Sequence, residues 1–489
     1  MQWGITDFKL LGINFNVDLD KMLEINYKSK LSKLKNLIQI WKRRYLTPLG
    51  KITVIKTLFL PMFNHLFISL PNPNSEMIKQ MNSLFYDFLW EGPAKIKNSI
   101  IIKEYFEGGL RMVNLVAFID SMKITWIRRL VISPGKWSKI VREIIDIDGI
   151  LKFGEAYTEI QIQKNTNRFW NDVLKSYKRL LKRNYPLTKE EVLATPVFYN
   201  DLFKIGGNPI YFKHWCDKGV FLICDLIKEN GKFINEAELS EKFLIKTNFL
   251  EYHGLIATIK EYMKVSNLTI TNNNVQYPVI PNNISLIVKS KRGTKDFYNI
   301  LNQNDDIPTS KKKWESIYDL DHSTWTEICM SPFRSTNSTA LQWLQLRINH
   351  NILPTKKYLF KIKVREDPYC AICDEEEDIV HMLWSCPETQ TFLQQVQSYL
   401  SANDICCRYN EKSFIFNIGS VSTGELEFNL KLKQYIFSTK FHNKCLSHVA
   451  AINKIKSHYE PLKYLAQKNK NKESFLKQWK KYNNMLENE

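Results

Sequence analysis

Apolar positions in the first 130 residues repeat at helical spacing. Leu31, Leu34, Ile38 and Trp41 fall on one helix face, with Lys28, Lys30, Lys33 and Lys35 largely off it. After a turn at Thr47–Gly50, the residues Ile52, Ile55, Phe59, Met62, Phe63 and Leu66 mark a second helix. Pro61 should bend or end it, because proline lacks the N–H that the helix ladder needs. Ser75 is a suitable N-cap for a third helix through Trp90, and Gly92-Pro93 stops it. Gly108-Gly109 predicts a turn, and Asn114 can cap a fourth helix through Leu130. Ahead of all this, Phe8 to Val17 reads as a short strand or hairpin, as if cut from something longer.

Beyond residue 130 the pattern is mixed. A helix is expected over Asn165 to Asn184, and Gly206-Gly207-Asn208-Pro209 forms a turn. Short helices are expected over 213–228, 236–244 and 250–264. Asn267 to Val279 reads as strand or loop, and the polar run Asn299 to Ser310 as a linker. Helical character returns from Trp314 to Ile352 and again from Phe428 to the end. The sum is a mainly α, multidomain chain with a mixed connecting region. At 489 residues it is long enough for about three domains.

Charge changes the picture. The net charge is +19. Residues 1–130 hold 19 Lys+Arg and 10 Asp+Glu, and residues 431–489 hold 13 and 4, so each end carries +9. The residues between carry +1. Two basic ends predict polyanion-binding surfaces, with nucleic acid the usual partner. Solvated lysine faces are the bland alternative. The run Ile52 to Leu70 is apolar, but Lys56, Pro61, Asn64 and His65 interrupt it, so a core helix is expected rather than a membrane span. Nine cysteines and no signal peptide favour a reducing, intracellular setting, cytoplasm or nucleus, and six of them (Cys216, Cys224, Cys329, Cys406, Cys407 and Cys445) show no framework spacing.

Four of the chain's metal-ligating residues stand close together. Cys370, Cys373, His381 and Cys386 form a C-x2-C-x7-H-x4-C pattern. Three thiolates and an imidazole suit one tetrahedral Zn²⁺, and a full set of four ligands makes that zinc structural rather than catalytic. Pro387 fits the first position of a helix, which would place Cys386 at a helix N-terminus, where a thiolate is favoured. Buried thiols around a satisfied core histidine are the alternative.

Several stretches taken in order resemble LINE-type non-LTR retrotransposon reverse transcriptases. Phe8-Lys-Leu-Leu-Gly-Ile is similar to the strand after the polymerase core, and Trp41-Lys-Arg-Arg-Tyr through Pro61 resembles the thumb. Gly108-Gly-Leu-Arg-Met-Val-Asn-Leu looks like the next recurring block. Pro196-Val-Phe-Tyr-Asn and Lys213-His-Trp-Cys-Asp-Lys-Gly resemble the connecting region, and Ile352 to Cys386 the zinc-binding segment. The individual motifs are loose; their order is specific, and the resemblance covers nearly the whole chain.

It implies an end-of-palm strand remnant at 1–20 and a thumb-like helical domain at 21–130. A connecting region at 131–310, a zinc-binding domain at 311–400 and a basic helical region at 401–489 follow. The paired aspartates of a polymerase palm, which hold two metal ions, are not matched. Asp305-Asp306 sits in a polar linker and reads as a solvated turn. No catalytic residue is assigned.

By position, Lys42, Arg43, Arg44, Lys51 and Lys56 match the thumb's basic residues, and Lys356, Lys357 and Lys361 precede the cysteines. The implied function is binding of RNA, an RNA–DNA hybrid or a DNA duplex, through phosphates and without sequence readout. Trp41 and Tyr45 are candidates for stacking on bases, although for Trp41 core packing is the stronger reading. Two other classes remain open from the sequence. One is a polymerase that works with a palm on another chain; the other is a zinc-stabilised interaction protein or an inert remnant of the element. Oligomeric state is not encoded in any pattern found.

Overall fold

A computed structural model describes residues 7–182, 188–265, 280–407, 409–419 and 422–487. The mainly α expectation holds: helices dominate, and the strands form two small hairpins. Asp7–Leu10 pairs antiparallel with Ile13–Asn16, with Phe8 opposite Phe15 and their rings stacked at 5.1 Å. Leu11 and Gly12 both take positive φ, as a two-residue hairpin turn requires. The first helix runs Leu19–Lys42 and buries Leu31, Leu34 and Ile38, the face its spacing predicted.

The second helix is not continuous. Pro48–Val54 is α-helical, Ile55–Phe59 is a π turn, Leu60–Phe63 is 3-10, and Asn64–Ser69 is α again. Pro61 explains the change, since its missing N–H and its ring break the regular ladder. A wide turn followed by a tight one carries the chain past it. Ile52, Ile55, Phe59, Phe63 and Leu66 are all buried. Pro48–Ser69 has the length and apolar content of a membrane span; Leu49, Ile52, Ile55, Phe59, Phe63 and Leu66 are buried inside the protein, while Leu58 is exposed.

Caps decide the other starts. The third helix is Ser75–Trp90, but its cap is Asn74, whose Oδ1 accepts the Met77 N–H at 2.8 Å. Ser75 is therefore the first helical residue rather than the cap. Asn114 caps Leu115–Ile132 as expected, through the Ala117 N–H. At the Gly108-Gly109 turn, a side chain on Gly109 would collide with the Lys103 carbonyl.

The chain folds as two compact units, each discontinuous in sequence. The first comprises Met1–Leu37, Leu58–Ser83 and Val113–Gln303; the second comprises Ile38–Thr57, Leu84–Met112 and Asn304–Glu489. The 21–130 stretch thus supplies both units, and all twelve sequence-predicted site residues fall in the second.

In the first unit, Leu115–Ile132 packs against Arg168–Leu181 and Thr294–Leu301. Ile124, Ile127, Val173, Leu174, Tyr177 and Phe297 fill that core. A second cluster gathers Phe198, Trp215, Leu226 and Leu255. The Gly206-Gly207 turn closes a hairpin of Lys204–Ile205 with Asn208–Pro209. The helix expected at 213–228 is instead Lys213–Cys216 and a 3-10 turn at Ile223–Leu226, separated by Gly219 at φ +96. The expected strand or loop at Asn267 to Val279 lies outside the described residues, as do the last two residues of the helix expected to reach Asn184.

Lys123 in this unit is fully buried, bonded to the Leu70 carbonyl, with its ammonium 4.4 Å from the Phe169 ring centroid. Burial pulls it down to about 7, against the opposing pull of Asp172. Its folded value lies below its unfolded one, so between about pH 7 and 10 the unfolded chain binds more protons. Stability of this unit should therefore rise with pH from 7 to 9. Denaturant titrations across that range test this, and Lys123→Met should flatten the trend. An equal trend in the variant would assign it to other groups.

The second unit's core joins Trp314, Trp325, Leu344, Leu383, Phe392, Phe428, Ile436, Trp479 and Tyr482. Phe428 and Tyr482 stack at 4.4 Å. The lysine-rich C-terminal helices thus share a core with the cysteine-bearing segment. Within it Lys433 is fully buried, its Nζ 2.9 Å from the Phe414 carbonyl, 3.3 Å from that of Ile415 and bonded to Gln345 Oε1.

Candidate metal centre

Three local devices bring the four ligands together. The first is the turn carrying Cys370 and Cys373. The Asp374 N–H returns to the Cys370 carbonyl at 3.1 Å, and the Cys370 N–H bonds the Glu375 carbonyl at 2.8 Å. Asp374 takes φ +54 to close this loop, and Tyr369 bridges Glu376 across its base. The second device is a π turn at His381–Ser385, closed by the Cys386 N–H on the His381 carbonyl at 3.0 Å. An α-helix would splay residues five apart around its axis, whereas an i→i+5 turn brings them back to one side. The third is the Pro387–Ala402 helix: Pro387 holds its first position and Cys386 stands at its cap, as the sequence predicted.

The outcome is compact. The four ligand atoms lie within 4.8 Å of one another. Cys370 and Cys386 sulfurs are 4.0 Å apart, and Cys373 Sγ is 3.4 Å from His381 Nε2. Sulfurs bound tetrahedrally to one Zn²⁺ at about 2.3 Å would stand about 3.8 Å apart. Among the described residues this is the one group of its kind, and it can hold a metal ion. Cys370, His381 and Cys386 are buried and Cys373 half-buried.

A surrounding shell orients the ligands. Glu375 lies 3.2 Å from His381 Nδ1, which leaves Nε2 to face the sulfurs. Asp378 Oδ1 accepts the His381 N–H at 2.9 Å. Burial pushes the Cys373 thiol up to about 11, and the neighbouring cysteines add to it. Burial also raises Cys386, but the Lys440 ammonium and the backbone N–H groups at the helix start outweigh it and leave that thiol below its ordinary value. Burial, then Lys440, lowers His381 and favours the neutral imidazole that a metal needs.

Lys440 was not found by sequence reasoning. It is buried, bonded to Thr389 Oγ1 at 3.1 Å, and comes from the Thr423–Phe441 helix, far along the chain. Glu377 is also buried, and its Oε1 accepts the Lys356 N–H at 3.2 Å while its carbonyl accepts the Lys357 N–H at 3.1 Å. The Lys356–Lys361 helix, capped by Thr355, is thereby latched to the cysteine loop.

The basic residues separate into two sets. Lys42, Arg43, Arg44 and Lys56 are exposed, and so is Lys361. Arg44 lies 5.8 Å from the centroid of the half-buried Trp41 ring, and Tyr45 is fully exposed. Lys56 donates to the Arg111 carbonyl at 3.2 Å. Lys51 is buried against Phe88 and paired with Glu91 at 2.5 Å, and Lys356 is buried at the latch. Lys357 is half-buried and paired with Glu376. These three are engaged by the protein itself. Asp305-Asp306 lies between helices, with Asp306 held 2.9 Å from Lys97. No protein-family model matches the chain.

Proposed function

We propose that this chain is a zinc-stabilised nucleic-acid-binding module, equivalent to the C-terminal part of a LINE-type reverse transcriptase. The zinc is structural: three sulfurs and one imidazole fill a tetrahedron and leave no position for water or substrate. Its role is to hold the cysteine loop and, through Glu377, the Lys356–Lys361 helix.

The observation that carries the binding function is the end of the first helix. Lys42, Arg43 and Arg44 stand exposed in succession, followed by the fully exposed Tyr45. Among the described residues, none of the three has an ion pair. Clustered cations bind phosphates without reading sequence, and a projecting aromatic ring offers a stacking face. Lys56 and Lys361 are further contacts, while Lys51 and Lys356 do not contribute to this exposed surface.

Changing Arg43 and Arg44 together to Ala should weaken binding alike across sequences. It should also make the slope of log affinity against log salt shallower by about 2 on a duplex. Titration of an RNA–DNA duplex at several salt concentrations provides the measurement. Superimposable curves for wild type and variant would remove this surface as the binding site.

A further inference from the structure

The hairpin of Asp7–Leu10 with Ile13–Asn16 has one closed edge and one open edge. Asn26 closes the Ile13–Asn16 side: its Oδ1 accepts the Asn14 N–H at 3.0 Å, and its Nδ2 donates to the Asn14 carbonyl at 2.7 Å. The backbone groups of Asn14 therefore point out of the hairpin. Asn14 stands opposite Lys9, so the N–H and C=O of Lys9 point outward on the other side. Those of Asp7, two residues earlier, do the same. Among the described residues nothing pairs with that outer edge.

An open strand edge is a template for another strand, and a two-stranded hairpin is marginal on its own. Asp7, Phe8, Lys9, Leu10 and Leu11 are all exposed, so the edge carries apolar surface within reach of a partner. A charged side chain, lysine above all, ordinarily blunts such an edge. Here Lys9 stands two residues from Asp7, its opposite charge on the same face of the strand. Among the described residues Lys9 has no ion pair, and the Asp7 carboxylate accepts only from the neutral Asn16 amide. Both charges are free to meet a partner.

We infer that this edge is a self-association surface, on which a second copy of the chain lays its own Asp7–Leu10 strand antiparallel to the first. Charge sets the register. With the two-fold axis at Phe8, Asp7 of each copy stands opposite Lys9 of the other. These are the residues whose backbone groups point outward, so each Asp7–Lys9 pair exchanges two backbone hydrogen bonds. Their side chains share a face and meet as opposite charges. Phe8 meets Phe8 at the non-bonded position between them, where side chains come closest. The Phe8–Phe15 stack of each copy, at 5.1 Å, then becomes part of one row of rings across a four-stranded sheet. An axis at Asp7 or at Lys9 would instead oppose like charges, and a one-residue slip would bring inward-bonded groups to the edge. The contact is small, so the dimer is weak and depends on concentration. This inference is independent of the nucleic-acid reading.

Sedimentation equilibrium of the full chain over a range of concentrations tests it. Salt of about 0.15 M, with a Debye length of about 8 Å, screens the general repulsion between two chains of net charge +19. The average mass of wild type should rise with concentration toward that of two chains. Asp7→Lys and Lys9→Glu should each lose that rise, because each sets like charges opposite one another. An equimolar mixture of the two variants should regain it, since every cross-strand position then faces its opposite charge. Recovery on mixing also shows that both variants are folded. Lys9→Pro removes one outward N–H, leaves the bonds within the hairpin, and should likewise weaken association. Wild type at single-chain mass throughout would overturn the inference and leave the edge to a strand of another polypeptide. Variants that associate as wild type does would place self-association elsewhere and overturn it too. Variants that stay single even when mixed would refute the register at Phe8. Slow hydrogen exchange of the Asp7 and Lys9 amides at every concentration would mean that this chain covers its own edge, and would also overturn it.

Discussion

Replacing Cys370 with Ser should abolish or weaken binding of the proposed zinc and loosen the segment around it. Native mass spectrometry of wild type should show one zinc per chain, lost or weakened in the variant. Structural zinc contributes up to about 10–16 kcal/mol in isolated finger peptides. The loss here should be smaller and local, because Ile379, Met382 and Leu383 are already seated in the second unit's core. Hydrogen exchange should show where it falls: faster in the cysteine loop and, through the Glu377 latch, in the Lys356–Lys361 helix. A chelator should reproduce the same pattern in wild type. Occupancy should also fall with pH. With the Cys373 thiol held up to about 11, metal must displace a proton to bind, so each step toward acid favours the free protein. Competition against a chelator at pH 6 and pH 8 measures the sign. A Cys370→Ser protein that keeps full zinc occupancy would refute the ligand assignment.

The second large effect is expected at Lys433→Met. Methionine matches the stem of lysine but cannot donate. Gln345 Oε1 and the Phe414 carbonyl would lose their bond to Nζ in a site closed to water, while the Ile415 carbonyl keeps the Gln345 Nε2 donor at 2.9 Å. An orphaned buried acceptor costs about 1–3 kcal/mol. Against this stands the relief of no longer burying an amine, whose cost appears as a value pushed far below that of a free lysine by burial. Two orphaned acceptors should outweigh one amine, giving a net loss of roughly 1–3 kcal/mol for this unit. The denaturant midpoint should fall with the slope unchanged. An unchanged midpoint would mean that the two contributions cancel.

Much of this was legible wherever the cause is local. Phe8 to Val17 alternates around a glycine and forms the hairpin. Asn114 precedes an apolar run and caps it. The clustering of Cys370, Cys373, His381 and Cys386 was readable because their residue types and spacing are themselves the signal. What escaped has its cause elsewhere in the chain. Helical spacing places Lys51 beside buried neighbours but cannot tell that Glu91 will cover it, nor that Lys356 will be closed over by the cysteine loop. The π turn leaves no mark in composition, since only the packing of His381 and Cys386 onto one ion's worth of space calls for it. Lys440 reaches the centre from a helix whose own pattern carries no hint of a metal. The Ser75 misassignment is of another kind: Asn74 and Ser75 are both good caps, and only the hydrogen bond to Met77 separates them.

The interleaving of the two units has a consequence for the order of synthesis. Trp90, Ile100 and Ile101 belong to the second unit, yet roughly 190 residues separate Met112 from Asn304, where the rest of that unit begins. At about 5–20 residues per second a ribosome needs roughly 10–40 s to cover that distance. For that interval these side chains, buried in the finished protein, have emerged without their partners. A nascent chain stalled near residue 200 should therefore recruit chaperones more strongly than one released at full length.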